Sequence, residues 1–475
     1  MEEQRIKSGS KSQLGIWPLI ALVIGSVIGG GAFNLPSDIT QGAHTGAILI
    51  GWVITGAGIL SLGLSFQNLN NKQPELNGGI FAYAKAGFGQ FMGFNSAWGY
   101  WCSAFLGNVA FATLFVSALG YFFPILNGRN AASIICASII LWAVHFLVLQ
   151  GVKSASLVNA ATTIAKLIPI LLFIILGFFA FDSDIFTQDF WGTAPLNWDS
   201  IQNQVKSTML ITLWVFVGFE GAVVLSGRAR NRGDVGRATV FGLLCTLSIY
   251  VLLFIISAGI MGKEQLAGLK NPSLAYVLEA AVGEWGAALV NIGLVISVLG
   301  AWLGWTILAA EIPYIAGKEK VFPSFFSKEN RHSSPSRSLF LSNLLIQLFL
   351  LTFLISDKPY QLAYSLASSA ILIPYLFAAL YQIKYSMRED SQDRTRNLIV
   401  GFIAAAYSIW LLYAAGLSYL LLTLLIYLPG ILIYAAAQKE YKQKIFAGKE
   451  AVAAVVIVIL AIIAVAMLFL GRISV

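Results

Sequence analysis

The chain has 475 residues, of which 58% are hydrophobic and 11% are charged, and its mean hydropathy is +0.78. A soluble domain carries about 25% charged residues, so this composition excludes an ordinary soluble protein and indicates one embedded in a lipid bilayer. The net charge of +8 is compatible with a nucleic-acid partner, but the positions of the basic residues, described below, exclude that interpretation.

Apolar runs long enough to cross a bilayer, about 20 residues each, recur along the whole chain. We predict thirteen spans, at 16–36, 46–66, 90–123, 131–149, 157–180, 207–227, 238–261, 286–310, 339–356, 361–383, 397–415, 417–436 and 450–471. The first run is too long for a cleavable signal peptide, and NLPSD is a poor cleavage site. The longest connections, roughly 181–206, 262–285, 311–338 and 384–396, are too short for a separate soluble domain.

The basic residues predict the orientation. With the N-terminus inside, 23 of the 30 Lys and Arg residues lie on the cytoplasmic side, six lie on the opposite side and Lys166 lies within a span. Cytoplasmic loops carry such an excess of Lys and Arg. We therefore expect a multi-pass protein of the cytoplasmic membrane with a cytoplasmic N-terminus, and a C-terminus outside if all thirteen spans form. The lipid bilayer accounts for the basic charge, and no nucleic-acid partner is expected.

The cysteines and histidines do not predict a cofactor or metal site. None has the paired or helical spacing typical of a disulfide framework or of metal ligands. They are Cys102, Cys136 and Cys245 within apolar spans, and His44, His145 and His332. We expect neither cofactor nor metal.

Glycine interrupts the first span, in VIGSVIGGGAFNLP (23–36), at positions 25, 29, 30 and 31. Gly25 and Gly29 fit a small-xxx-small helix-packing pattern, so close packing is one interpretation. The other is an unwound segment whose free amides line a ligand cavity. The sixth span favours the second interpretation, because FVGFEGA (216–222) also has glycines and carries Glu220. Placing a carboxylate within a membrane costs free energy unless the carboxylate faces water or a partner, so Glu220 is a functional-site candidate.

Spans one and six occupy corresponding positions in two five-helix halves. Paired glycine-interrupted helices at such positions are typical of inverted-repeat transporters with a site at the membrane midplane. The half-helix beginning near Gly31 would present free N–H groups and a positive dipole end to a substrate carboxylate. We therefore divide the chain into a tail (1–14), a ten-helix transport core (15–385, with repeats of about 15–180 and 206–385), and additional helices (386–475).

Several stretches carry a resemblance to a known family. They are GSVIGGGAFNLP, PELNGGIFAYAKAGFG (74–89), GYWCSAFLGN (99–108), TLWVFVGFEGAVVLSGRARNRGDVGRAT (212–239), GWTILAAEIP (304–313) and ILIPYLF (371–377). Residues from about 13 to 436 resemble the amino acid–polyamine–organocation superfamily, and within it the basic amino acid/polyamine antiporters, most of all the arginine/ornithine antiporters. The resemblance implies an all-α, polytopic, LeuT-like fold with a 5+5 inverted repeat, broken helices 1 and 6, and here about thirteen transmembrane helices.

The resemblance also implies roles for individual residues. Gly29, Gly30 and Gly31 match the segment that holds the substrate α-carboxylate, and the backbone at Trp214, Val217 and Gly218 matches the segment that receives the α-ammonium. Trp214 also matches an aromatic gate that stacks on a guanidinium by a cation–π contact. The gate on the cytoplasmic side matches Tyr100, Trp305, Tyr375 and Glu220, and further lining positions on span three match Ser103, Ala104, Asn108 and Phe111. Departures from the arginine/agmatine relatives fall at Ala104, Phe111 and Ala367.

Lys166 lies about ten residues into span five, hence roughly 15 Å deep at about 1.5 Å per residue. In sodium-coupled relatives of this fold a sodium ion lies between spans one, five and eight, and in some sodium-independent members a lysine of span five supplies that charge. We hypothesise that Lys166 does so here. Two alternatives remain: because burial disfavours the charged form, Lys166 could carry a proton, or it could form a structural ion pair.

The predicted function is secondary transport rather than catalysis. No HExxH motif, paired aspartates or Ser/His arrangement is present in the spans, so an enzyme is not expected. A carboxylate with aromatic faces suits an ammonium or guanidinium, and glycine amides suit a carboxylate. We predict exchange of basic amino acids, arginine for ornithine, by alternating access. Arginine/agmatine exchange, lysine/diamine exchange and proton-coupled uptake remain alternatives, and the working unit is a monomer or a homodimer.

Overall fold

The computed structural model describes residues 15–76, 79–127, 130–192, 197–220, 232–354, 356, 358–446, 448–470 and 472–473. Within these ranges the chain is helical and contains no strand. The helices in chain order are α1 (Ile16–Val27), α2 (Gly31–Thr40), α3 (Thr45–Lys72), α4 (Ile80–Phe88), α5 (Gln90–Phe122), α6 (Ala131–Leu149), α7 (Val152–Phe179), α8 (Ser183–Thr187), α9 (Trp198–Trp214), α10 (Arg232–Ile260), α11 (Lys263–Ala267), α12 (Ser273–Val282), α13 (Glu284–Lys318), α14 (Ser336–Leu350), α15 (Pro359–Arg388), α16 (Arg394–Glu440) and α17 (Lys449–Phe469).

Eight of these helices, in the part of the chain that the structure describes, are long and apolar enough to cross a membrane. They are α3, α5, α6, α10, α13, α15, α16 and α17. The predicted first span is divided into α1 and α2, and the predicted sixth span contributes α9, while α7 and α14 contain shorter apolar stretches. The protein is therefore an all-α polytopic membrane protein, and the exact number of thirteen spans stays a prediction. The predicted tail, 1–14, lies outside the described residues.

The predicted spans 397–415 and 417–436 form the single element α16. It has 47 residues and is interrupted at Gly416, whose φ of 78° and ψ of 162° are not helical. A positive φ is readily adopted only by glycine. Two helices therefore meet at Gly416, which is also the residue between the two predicted spans.

The helices differ in how much of their surface is covered by protein. In the most apolar window of α5, 89% of residues are buried, whereas in α17 the share is 17%. Polar side chains inside α5 bond back to carbonyls of their own helix: Asn95 donates to Phe91 O at 2.8 Å and Thr113 donates to Val109 O at 2.9 Å. Such bonds allow polar residues in an apolar span. The helix α5 is thus the interior of the bundle, and it packs against α13 and α15.

Four short helices lie in segments that the sequence analysis treated as connections: α4, α8, α11 and α12. We call the face where α2 and α5 end and α13 and α15 begin the outer face, because the basic residues predict that it lies away from the cytoplasm. The opposite face is the inner face. The helices α11 and α12 pack against α2, and they bring the outer connection onto the broken first span.

A polar clasp at the inner face joins α3 to the segment between α15 and α16. Lys72 Nζ lies 2.9 Å from Glu389 Oε1, and Asn397 Nδ2 donates to Glu389 Oε2 at 3.0 Å. Burial alone raises the pKa of the Glu389 carboxyl, but hydrogen bonds from Asn397 and Lys72 outweigh burial and hold that pKa below its usual range. The charged carboxylate is therefore the form that fits the folded protein.

Candidate functional site

The first span unwinds between α1 and α2. The helix α1 ends at Val27, Ile28 has extended backbone (φ −72°, ψ 101°), and α2 begins at Gly31 after the N-cap Gly30. The end of α1 leaves carbonyl groups without helical partners, and the start of α2 leaves N–H groups without them. Gly25, which the sequence analysis grouped with the later glycines, lies inside α1. The unwound segment, 28–30, therefore begins later in the chain than the glycine pattern, which starts at Gly25.

The sixth span unwinds after Trp214. The helix α9 ends there, and the backbone continues in turns as far as Glu220. Gly218 has a φ of +110° and its N–H donates to Glu220 Oε2 at 3.1 Å. The rest of the predicted span, from residue 221, lies outside the described residues. An L-residue with a side chain rarely adopts the Gly218 conformation, so this glycine is required by the turn.

The break in the first span contacts the break in the sixth span. A Cβ atom added to Gly218 would lie 2.9 Å from the carbonyl oxygen of Ser26, at the end of α1. The hydroxyl of Tyr250 on α10 lies 3.2 Å from Val27 O and 2.9 Å from Val215 O, so its single proton is within hydrogen-bond reach of a carbonyl of each break. The sequence analysis missed Tyr250. Its one signal was a tyrosine far from both ends of an apolar span, where anchoring at the membrane interface does not explain it.

A small cavity of about 10 Å³ lies between the breaks, which is room for about one water molecule. Its lining comes from both breaks and from α5, α10 and α13: Ser26, Val27, Gly29, Gly31, Phe111, Trp214, Val215, Val217, Tyr250 and Trp305. Of the predicted substrate-binding residues, Gly29, Gly31, Trp214, Val217 and Trp305 are brought together here, and Gly30 and Gly218 adjoin it within the breaks. An amino acid is much larger, so the cavity is closed in this conformation.

Aromatic rings surround this cavity. The rings of Phe111 and Trp214 lie 5.7 Å apart and those of Phe111 and Trp305 lie 6.4 Å apart. On its outer side Trp214 stacks on Tyr364 (6.2 Å, 23°), and its Nε1 donates to the Tyr360 hydroxyl at 3.2 Å. A guanidinium or ammonium within about 6 Å of such ring faces is attracted by about 0.5–2 kcal/mol. The cavity walls therefore suit an organic cation.

A carboxylate cluster lies on the inner side of the cavity. Glu220 is 1% exposed, and its Oε2 accepts from the Tyr375 hydroxyl at 2.9 Å as well as from Gly218. The Tyr100 hydroxyl lies beside the Glu220 carboxylate and interacts with it. Of the predicted gate, Tyr100, Tyr375 and Glu220 thus lie together, whereas Trp305 belongs to the cavity wall.

Two predicted lining residues of α5 do not reach the cavity. Ser103 and Asn108 are fully buried; Asn108 Nδ2 donates to Ala104 O at 3.1 Å. Besides Phe111 and Tyr100, α5 approaches the site at Gly107, where an added Cβ would lie 3.2 Å from the Trp214 ring. The sequence analysis missed this glycine, although GN at 107–108 was inside a quoted stretch.

Lys166 lies between the first and fifth spans, where it is 1% exposed. Its Nζ donates to the carbonyl oxygen of Gly25, which is among the α1 carbonyls left without a helical partner by the break. One turn earlier, Thr162 packs against Gly300 of α13. No acidic side chain among the described residues forms an ion pair with Lys166, which leaves no support for the structural ion pair.

The described residues contain no group of three or more His, Cys, Asp or Glu side chains that could hold a metal ion. The groups that the site does offer are hydrogen-bond donors, carbonyls, aromatic rings and the two buried ionisable side chains Glu220 and Lys166.

Comparison with known proteins gives consistent results. Residues 14–418 match the amino acid permease family. An arginine/ornithine antiporter of Pseudomonas aeruginosa is 48% identical over 467 residues, which are 96% of this chain and 97% of the relative. An arginine/ornithine antiporter of Latilactobacillus sakei is 44% identical over 97% of this chain and 98% of the relative. An arginine/agmatine antiporter of Chlamydia pneumoniae is 40% identical over 99% of both.

Proposed function

The chain belongs to the amino acid permease family, and we propose that it is a secondary transporter that exchanges arginine for ornithine across the cytoplasmic membrane. The observation that carries the proposal is one cavity with two chemically different ends. Gly31, at the start of α2 where the first N–H groups have no side-chain cap, lines it from one side, and aromatic rings and a buried carboxylate stand on others. The names of relatives that align along nearly the whole chain support the pair of substrates.

The backbone end of the cavity suits the α-amino and α-carboxylate groups that all amino acids share. The first N–H groups of α2 are free and carry the positive end of the helix dipole, which stabilises an anion. The carbonyl oxygens of Ser26 and Val27 at the end of α1 have no helical partner, and each keeps a lone pair for an ammonium group, although Val27 O already accepts from Tyr250. Gly29 and Gly31 line the cavity without side chains, so the substrate backbone can approach closely.

The aromatic end of the cavity suits a cationic side chain. Phe111, Trp214 and Trp305 line it with aromatic rings, and Glu220 is the carboxylate on its inner side. Arginine and ornithine both have the two backbone charges and one cationic side chain. Agmatine, the exchange partner named for the Chlamydia pneumoniae relative, lacks the carboxylate and would leave the α2 end unused, so it is the second candidate.

We infer that Lys166 supplies a fixed positive charge beside the first break. Its hydrogen bond to Gly25 O places the charge against the carbonyl end of α1, where the helix dipole favours a cation. In this interpretation Lys166 holds α1 in place throughout the cycle. If Lys166 carried a proton instead, transport would depend on the pH gradient.

In the proposed cycle the outer side and the inner side of the site open in turn. External arginine binds with its carboxylate at α2 and its guanidinium beside Trp214, and the outer side closes over it. The bond between Tyr375 and Glu220 then breaks, the inner side opens, and arginine leaves to the cytoplasm. Internal ornithine binds at the same groups and drives the return. In this orientation the N-terminus is cytoplasmic.

The test is counterflow in proteoliposomes made with the purified protein. Vesicles loaded with ornithine, lysine, agmatine, putrescine or buffer take up labelled arginine, and we expect uptake to require internal ornithine. Uptake driven best by agmatine would assign the second candidate. Equal uptake into buffer-loaded vesicles, lost when the pH gradient is collapsed, would replace exchange with proton-coupled uptake.

Two variants test the site in the same assay. Glu220→Gln keeps the size of the side chain but removes the buried charge, and we expect arginine uptake to fall by about tenfold or more, since losing the charge of a buried pair costs about 1.4 kcal/mol or more. The matched control is Glu264→Gln, because Glu264 on α11 is 85% exposed and does not line the cavity. Equal activity of both variants would contradict the role of Glu220.

A further inference from the structure

A second buried carboxylate, Asp38, lies on the outer side of the central cavity. It is on α2, 4% exposed, and both of its oxygens accept a hydrogen bond. Asn34 Nδ2 donates to Oδ2 at 2.8 Å, and Gln361 Nε2 of α15 donates to Oδ1 at 3.0 Å. Both donors are neutral amides. A buried carboxylate is normally paired with a cation, so its function requires an explanation.

The same surface of α2 is fastened to the outer connection. Ser273 at the start of α12 makes two bonds with it: its N–H donates to Asn34 Oδ1 at 3.0 Å, and its hydroxyl accepts from the N–H of Ser37 at 3.1 Å. Gln41 Nε2 donates to Ala267 O at 2.8 Å. To open the outer side, α2 has to separate from α12 and α15, and Asp38 then loses the donor that Gln361 supplies.

A large cavity of about 880 Å³ adjoins this surface at the outer face, and that volume is within the range of small-molecule sites. Gln361, Gln41 and Lys358 are among its lining residues. Gln361 therefore separates the outer cavity from Asp38, because its side chain lines the cavity and also donates a hydrogen bond to Asp38. A solute that enters the outer cavity is one side chain away from the carboxylate.

The chain's own cation at this place is engaged elsewhere. Lys358 is the basic group that interacts electrostatically with Asp38, but its Nζ donates to Gln41 Oε1 at 3.2 Å. No ion pair joins Asp38 to a basic side chain within the described ranges. The carboxylate thus has no directly paired cation among the described residues, and only the more distant Lys358 charge competes with a mobile cation once Gln361 moves away.

Asp38 is also connected to the central cavity. Its donor Gln361 follows Tyr360 directly on α15, and Tyr360 and Tyr364 are the tyrosines that hold the Trp214 ring, by a hydrogen bond and by stacking. Trp214 forms the outer wall of the cavity. A cation at Asp38 therefore sits where it can pass to the aromatic cage when Trp214 turns.

We propose that Asp38 is a specificity residue for entry from outside: it receives the cationic side chain of an incoming amino acid when the outer side opens. The cationic side chain takes the place of the Gln361 amide as the hydrogen-bond donor to Asp38. An arginine therefore favours the open outer side, and a neutral amino acid of the same shape does not. The inference rests on the proposed function. Its consequence is that selection for a positive charge differs between the two faces of the membrane, because Asp38 is reached only from the outer one.

The test compares arginine with citrulline, which has the same shape but an uncharged urea group. Right-side-out and inverted membrane vesicles expose the outer and inner faces separately. In each, the KM for labelled arginine and the inhibition constant of citrulline against it give a discrimination ratio. For Asp38→Asn we expect the ratio at the outer face to fall by about tenfold or more, as expected for the loss of one charge interaction, with the ratio at the inner face unchanged.

Two further variants separate charge from shape. Gln361→Met removes the donor but leaves the carboxylate, and we expect its discrimination ratio to remain that of the wild type. Asp38→Glu keeps the charge one methylene away, so it should retain the ratio even if both affinities fall; it also provides the measurement if Asp38→Asn does not fold.

The outcomes are distinguishable. If Asp38→Asn weakens arginine and citrulline equally, or changes the ratio equally at both faces, Asp38 is a structural part of the closed outer side and the proposal is wrong. If Asp38→Glu loses the ratio at the outer face, the proposal is also wrong. If the wild-type protein exchanges no basic amino acid, the proposed function fails first. Normal wild-type exchange with an unaltered ratio in Asp38→Asn overturns this inference alone.

Discussion

The contact between the two breaks at Gly218 gives a sharp prediction. In Gly218→Ala the new Cβ would lie 2.9 Å from Ser26 O and 3.2 Å from the Trp305 ring. The φ of +110° adds conformational strain of about 1–2 kcal/mol for a residue with a side chain. The ring can turn away, but the carbonyl belongs to the backbone of α1 and cannot move unless the first break shifts as well.

We expect the exchange rate of Gly218→Ala to fall by about 100-fold or more. The reason is that the strain and the clash together exceed about 2.7 kcal/mol, twice the value of a tenfold change, and both act on the segments that form the cavity. The assay is ornithine-driven arginine uptake in proteoliposomes, normalised to the folded protein incorporated. A rate within about threefold of the wild type, less than 1 kcal/mol, would show that the breaks do not need this close approach.

Two glycines serve as matched controls. Gly283 has a φ of +91° and nothing within 4 Å of an added Cβ, so Gly283→Ala carries the backbone strain without the clash. Gly262 has an ordinary φ of −65° and open space, so Gly262→Ala carries neither. We expect Gly283→Ala to lower the melting temperature while leaving the rate per folded molecule nearly unchanged, and Gly262→Ala to alter neither. Loss of transport in Gly283→Ala would attribute the effect to strain in general.

Three further predictions concern single side chains. Lys166→Met removes the donor to Gly25 O, so exchange should fall by about tenfold or more as a buried charged hydrogen bond is lost; an unchanged rate at every pH would contradict both roles considered for Lys166. Trp214→Phe keeps a ring but loses the bond to Tyr360, so arginine KM should rise by a few-fold, as for one neutral hydrogen bond, and an unchanged KM would mean that the bond does not hold the cage. Glu389 has a lowered pKa, so its stabilisation is present above the unfolded-state pKa of about 4.3 and is lost as pH falls through the folded-state value. Melting temperature in detergent should therefore fall less steeply below about pH 4.3 in Glu389→Gln than in the wild type, and parallel curves would contradict this.

Much of the fold could be predicted because a bilayer imposes a simple rule on sequence. A span needs about 20 apolar residues, and the boundaries predicted for α5 and α6 agree with the structure within one residue. The short helices α4, α11 and α12 have too few residues for a periodic pattern, so they were treated as connections. The join at Gly416 was placed correctly, but a single glycine does not reveal that α16 turns without a loop.

The site was predictable where the backbone itself is unusual. Glycine at 29–31 and at 218 marked both breaks, since few other residues allow such turns. The residues that were missed, and the predicted ones that lie outside the closed cavity, depend on which spans come together. Tyr250 has an ordinary apolar neighbourhood in sequence and bridges the breaks only in the folded chain. Ser103 is polar and on the correct helix, yet its side chain does not line the cavity.

One helix is held by both buried carboxylates. On α15, Gln361 binds Asp38 near the outer end and Tyr375 binds Glu220 further in, and the 14 helical steps from one to the other span about 21 Å at 1.5 Å per residue. Pro374 lies between these positions, and a proline removes one backbone hydrogen bond and allows a helix to bend there. Each end can therefore come free without the other. If each were free about 1% of the time, a common magnitude for minor states, independent openings would coincide only about 0.01% of the time. On that assumption, the two sides are open together too rarely for ions and protons to leak across the membrane while amino acids pass.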